Sequence, residues 1–251
     1  MNNPILYYVI LVGISVLGIF KNSVSLSPLR FHCNNYMLNT YLYFILSWGI
    51  VLSTVTAVQY KNIPLQQIFT KPFTILLTIG CIALILGLMA LKAKTSFITK
   101  HILFILLLIL FGVTLYPLYI LNKDRFNHVG LTTIAIFLVL SIITALKPEL
   151  VSNSWSMYLF IALISLFIAR LVEIFVIEKG NNEKLSNYSR MISYLAIGVF
   201  SLFIMYDTKQ VLVNASGCKV SPFGPDYINE SINLFLDSMN LFTNLYRVES
   251  D

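Results

Sequence analysis

The sequence predicts an all-α integral membrane protein, and three observations lead there. Hydrophobic residues fill 57% of the 251 positions and charged residues only 11%. A soluble domain carries roughly 25% charge, so this chain has less than half the usual supply. Mean hydropathy is +0.80. The apolar residues are gathered into runs of about 20, the length at which a helix spans a bilayer's hydrocarbon. A soluble protein of this size could not cover itself with so few charges, so lipid is the solvent its surface fits.

The first apolar run, residues 4–20, ends at Lys21. Met1-Asn2-Asn3 ahead of it carries no basic side chain, whereas a secretory signal has positive charge before its apolar core. A retained extra span is therefore favoured over a cleaved signal, with residues 1–37 forming this segment and a polar linker. Residues 38–251 form the main transmembrane domain. Its seven runs are 38–59, 72–92, 101–121, 128–147, 155–177, 190–212 and 226–247. Short polar connections separate them, marked by Gly, Pro, Asn and Lys, as in Lys61-Asn62-Ile63-Pro64 and Lys147-Pro148-Glu149. The connection 178–189 is the most charged. The chain thus has eight spans, or seven and an anchor.

Charge excludes one class of partner and leaves orientation open. The net charge is +6, but the seventeen basic residues are spread over the whole chain. They make no nucleic-acid patch and fit loops beside lipid headgroups. With the seven-span core entering from the cytoplasm, the basic residues divide evenly between the two sides, so the positive-inside rule decides nothing. Cys33, Cys81 and Cys218 lie far apart without paired spacing, so neither a disulfide framework nor a zinc site is expected. His32, His101 and His128 sit near span ends and do not read as ligands. Three N-x-S sequons, at Asn187, Asn214 and Asn229, fall close to helix ends, which argues against glycosylation.

The informative residues are those that interrupt apolar runs, because polar side chains are costly in hydrocarbon and ionisable ones more so. In the last helix Glu230, Asn233, Asp237, Asn240, Asn244 and Arg247 follow steps of three, four, three, four and three. That seven-residue repeat holds all six on one face. Ile232, Leu234, Phe235, Leu236, Leu241 and Phe242 occupy the other faces, which are expected to meet lipid while the polar seam points into the bundle. In the preceding helix Asp207, Gln210 and Asn214 share the same spacing. Asp207 lies about 10 Å of helix from Asn214, and Asp237 about 16 Å from Asp226. In antiparallel neighbours the two carboxylates reach comparable depth and could share a proton. Two carboxylates in low dielectric do not both ionise cheaply, and such a pair titrates as a unit. With both protons lost it could attract a divalent cation. The plainer reading gives each acid a hydrogen bond to a neighbouring helix.

Arg170 and Glu173, three apart, can pair on one face near a helix end. Pro117 is expected to kink its helix. No Gly-x-Ser-x-Gly, His-Glu-x-x-His or phosphate loop is present, so no enzyme activity and no cofactor are expected. An intramembrane aspartyl protease would place two Asp on adjacent helices. Tyr206-Asp207 fits its first motif, but Leu234-Phe235-Leu236-Asp237 lacks the Gly-x-Gly of the second.

The C-terminal motifs Met205-Tyr206-Asp207-Thr208-Lys209-Gln210, Asp226-Tyr227-Ile228 and Leu234-Phe235-Leu236-Asp237-Ser238-Met239-Asn240-Leu241-Phe242 resemble the transmembrane Bax inhibitor motif family. Gly112-Val113-Thr114-Leu115-Tyr116-Pro117 looks like that family's third helix. The resemblance implies six helices around a central last helix. It implies a pH-gated calcium leak, with Asp207 and Asp237 as the proton-sensing pair and Ca2+ as the permeant ion. It also implies suppression of cell death, in endoplasmic reticulum or Golgi membranes for eukaryotic and viral members. Where the family reads Tyr-Asp-Thr-Gln this chain has Lys209, a charge that could hold Asp207 ionised or obstruct a cation. Lys92 and Lys94 are the nearest counterparts of the basic residue that can latch the acid pair in family members. The extra N-terminal run and Lys209 leave a second expectation beside the leak: a non-conducting component that binds membrane-protein partners, for example in the membrane of a virus particle.

Overall fold

The structure is a computed structural model, and it describes residues 4–26, 29–61, 64, 70–173, 182–220 and 224–249. Among these residues eight α-helices are present: α1 Pro4–Ser23, α2 Tyr36–Tyr60, α3 Lys71–Ala90, α4 Phe97–Leu121, α5 Lys123–Leu146, α6 Trp155–Val172, α7 Asn182–Gly217 and α8 Tyr227–Val248. Local chemistry sets several ends. Pro72 sits in the first turn of α3, where its missing N–H removes nothing. Pro148 follows α5 and opens a short 3-10 turn, Pro148–Leu150. Gly224 adopts a positive φ of 69° ahead of Pro225, and the chain turns there into α8.

Seven helices are long and apolar enough to cross a membrane, among the described residues. They include α1, at Ile5–Ser23, and exclude α8. The last helix falls short because its polar seam lowers its hydropathy. It is nonetheless deeply buried: Tyr227, Leu234, Phe235, Leu241 and Phe242 are almost wholly covered. This corrects the expectation that its apolar faces meet lipid. Phe235 packs edge-on against Trp48 and Phe111, with ring centres 5.5 and 5.4 Å away. A helix covered on every side can carry a polar seam because protein, not lipid, surrounds it. The outer helices show the reverse pattern. In α6 only Leu159 is buried, and its exposed Met157, Phe160 and Phe167 form the surface that lipid would cover.

The chain divides into two compact units. One comprises Met1–Lys123 with Val211–Phe235, and the other Asp124–Gln210 with Leu236–Asp251. In the first, α1 packs on α2, where Gly18 admits Leu42 and Gly49 admits Val12. Between α1 and α2 runs a two-stranded antiparallel hairpin, β1 Val24–Leu26 and β2 Leu29–Phe31, pairing Val24 with Phe31. Its end is tied down by a disulfide between Cys33 and Cys218, 185 residues apart. The absence of a disulfide framework, expected from spacing, is thus corrected. The pairing depends on where folding carries the start of α2 and the end of α7, which linear spacing does not encode.

Two further expectations change. The charged connection 178–189 is helical from Asn182 onward, while residues 178–181 lie outside the described residues. The connection between the runs 190–212 and 226–247 is shorter than those bounds imply, since α7 runs to Gly217 and a 3-10 turn covers Cys218–Val220.

Candidate functional site

The second unit holds both acids. Asp207 projects from α7 and Asp237 from α8, and their carboxyl groups approach each other closely enough to interact. Two carboxyl groups this close in a buried setting do not both ionise cheaply. Asp237 is 7% exposed. Its Oδ2 is buried and has no hydrogen-bond partner among the described residues. Next to Asp207, the buried Thr208 hydroxyl meets Ser141 of α5 at 3.3 Å. Lys209 donates from its ammonium to the carbonyl of Val151, the residue after the 3-10 turn.

Beyond Asp237 the seam continues one and two turns along α8. Asn240 donates to the Leu236 carbonyl at 2.8 Å and Asn244 to the Asn240 carbonyl at 2.8 Å. These bonds leave the Asn244 amide oxygen to accept from Arg170 at 2.7 Å. The same guanidinium donates to Ser193 at 2.8 Å and to Glu173 at 2.6 Å. Arg170 therefore links three helices as well as forming the ion pair that its spacing implies, and both its side chain and that of Glu173 are mostly covered. Two cavities, of about 190 and 300 Å³, share Arg170, Asn240 and Asn244 in their walls. Arg247 lines the larger one. Within this unit the Arg170–Asn244 contact thus borders open space.

The other seam residues fall in the first unit. Glu230 accepts from Asn214 at 2.5 Å and from the Tyr36 hydroxyl at 3.4 Å. Asn233 is half-buried there, as Gln210 is in the second unit. Lys92 and Lys94 belong to the connection between α3 and α4, where Lys94 lines a cavity. Among the described residues no group of three or more His, Cys, Asp or Glu could hold a metal ion.

Sequence reasoning missed Lys100. Its side chain is fully buried, 2.5 Å from Asp226 and 2.7 Å from the Leu91 carbonyl. Asp226 also caps α8, accepting from the Asn229 N–H at 3.2 Å. Lys100 stands beside His101 at the start of an apolar run and reads as loop charge. The signal that could have found it is its position one turn inside a helix opened by Ser96. His101 is likewise internal, bonded to the Tyr43 hydroxyl at 2.7 Å.

Comparison of the chain with curated proteins returned no match. The family model described as inhibitor of apoptosis-promoting Bax1 matches residues 33–248. That span covers every helix except α1, including the acid pair, the polar seam and both cysteines of the disulfide. With most of its length matched, the chain belongs to the Bax inhibitor family of transmembrane proteins.

Proposed function

We propose that this protein is a pH-sensitive cation leak pathway, chiefly for calcium, with Asp207 and Asp237 as the proton-sensing pair. Family membership gives the coarser part: a multi-pass integral membrane protein related to suppression of cell death. The observation that carries the finer reading is the close, buried approach of the two acid side chains. A proton joins α7 to α8 at that point. Its loss sets two negative charges side by side and breaks the joint while creating a cation-attracting spot. Two carboxyls are far from the six to eight oxygens of a calcium store. Weak, incomplete coordination suits an ion that must leave again. The seam from Asp237 to Arg247 and its flanking cavities supply polar lining, and Arg170 is the group a cation would have to pass.

The test is calcium flux into proteoliposomes between pH 5 and 8. Wild type is expected to conduct with a clear pH dependence, and Asp207→Asn and Asp237→Asn to lose that dependence. A folded wild-type protein that passes no calcium at any pH would overturn the reading.

One observation favours a second reading, a non-conducting partner-binding membrane component. The helix α1 lies ahead of the family match and exposes Leu6, Ile14 and Leu17. Stoichiometric partners recovered through α1, without ion flux, would support it.

A further inference from the structure

Within the first unit a groove of about 540 Å³ runs along α2 between α1 and α4. Val9 and Val12 of α1, Ile50 and Ala57 of α2 and Ile109 of α4 line it, and Lys61 stands at one end. Its surface is almost wholly apolar, and Lys61 is the one charged residue in its wall among the described residues. Thr54, also in the wall, turns its hydroxyl onto the Ile50 carbonyl of its own helix at 2.9 Å. We propose that this groove holds one acyl chain of an acidic phospholipid, with the anionic headgroup at Lys61.

Length and closure fit a single chain of one leaflet. From Ile50 to Lys61 the helix rises about 16 Å, close to half of the roughly 30 Å hydrocarbon core. The groove ends at that depth because α1 touches α2 there: a Cβ at Gly49 would stand 2.9 Å from a Val12 methyl. On the other side Gly112 brings α4 onto α2 beside Thr54. These two contacts set the walls before any ligand arrives, which lowers the ordering cost of binding. The wall from α1 lies ahead of the residues that match the family, 33–248, so the groove depends on the extra helix.

Position selects an acidic lipid. Cys33, bonded to Cys218, lies three residues before α2, so the start of α2 faces an oxidising compartment. With 25 residues, α2 rises about 37 Å and exceeds the hydrocarbon thickness. Lys61 follows its last residue and therefore sits on the opposite, cytoplasmic face, next to the exposed Tyr60. A Lys beside an aromatic residue is the composition of the headgroup interface. The cytoplasmic leaflet is also the one rich in anionic lipid.

The experiment reconstitutes the full chain in phosphatidylcholine nanodiscs with a trace of phosphatidylserine carrying a diazirine in one acyl chain. Photolabelling is expected to saturate and to fall on residues 9–12 and 50–58. Unlabelled phosphatidylserine should compete, and added phosphatidylcholine should not. Lys61→Gln is expected to weaken binding about fivefold, and Lys61→Arg to retain it. Lys123→Gln removes equal charge on the same face, since α4 starts beside Phe31 and ends at Leu121, and should change binding less than about twofold. Ala57→Phe fills the groove and should abolish saturable labelling with an unchanged melting temperature. Labelling spread over the outer face of α6, equal competition by phosphatidylcholine, or an unaltered affinity in Lys61→Gln overturns the site. Oleate that displaces the probe at lower concentration than phosphatidylserine overturns the phospholipid as its occupant.

Discussion

A buried charge shows at the scale of one residue what the bilayer environment demands. Lys100 is wholly covered, and its ammonium is matched by Asp226 and the Leu91 carbonyl. Breaking a buried pair leaves one charge without compensation, which costs about 3–5 kcal/mol when both partners are enclosed. The Asp226 side chain is 28% exposed, so a smaller loss, about 2–3 kcal/mol, is expected for Lys100→Met. Thermal unfolding of the detergent-solubilised protein measures it. The double variant Lys100→Met/Asp226→Asn should recover most of the loss, because coupling between contacting groups is not additive. The acid pair is another place where ionisable groups meet in a buried setting. Its members could be aligned from sequence because a seven-residue step fixes a helix face. Lys100 could not, because its partner lies 126 residues away, and its place one turn into the helix opened by Ser96 hints at burial without naming that partner.

Between elements, close approach is set by small residues. A Cβ at Gly112 of α4 would stand 2.5 Å from the Thr54 Cβ of α2 and 2.9 Å from the Val51 carbonyl oxygen. Backbone is in the way, so a side-chain rotation does not relieve the clash. Gly112→Ala is expected to destabilise the α2–α4 contact by about 1–3 kcal/mol, read as a lower melting temperature. Gly198→Ala, where a Cβ meets nothing within 4 Å, should leave melting unchanged or raise it slightly. The helices themselves were largely readable. Apolar runs near 20 residues located α2 to α5 within a few residues of their ends, since the hydrocarbon thickness dictates length. Boundaries failed where charge was taken as loop: residues 182–189 belong to α7, because a helix can extend past the membrane into water.

For the molecule as a whole, the disulfide joins chain positions that no local pattern relates. It closes a segment of 185 residues. Such a bond stabilises by about 2–4 kcal/mol in soluble proteins, and less is expected here because membrane-inserted spans already restrict the unfolded chain. Wild type should migrate faster on a non-reducing gel than after reduction. Cys33→Ser and Cys218→Ser should show no such shift and should melt at lower temperature. A wild-type mobility indifferent to reductant would mean the bond does not form. The bond also implies that this end of the protein meets an oxidising compartment, information that the evenly divided basic residues could not supply.

The sequence by itself determined that the chain is a helical membrane protein, where its spans run and which face of α8 is polar. Those properties follow from hydropathy and helical period, which are local. It also carried the motifs of α7 and α8 on which the family resemblance rested. Helical period left the apolar faces of α8 to lipid, whereas the resemblance implied a central helix, and the structure covers those faces. Tertiary structure alone decided that Cys33 meets Cys218, that Lys100 meets Asp226, and that Arg170 reaches Asn244. Each of these joins residues distant in the chain, and such meetings depend on how helices pack, a property that no single segment encodes.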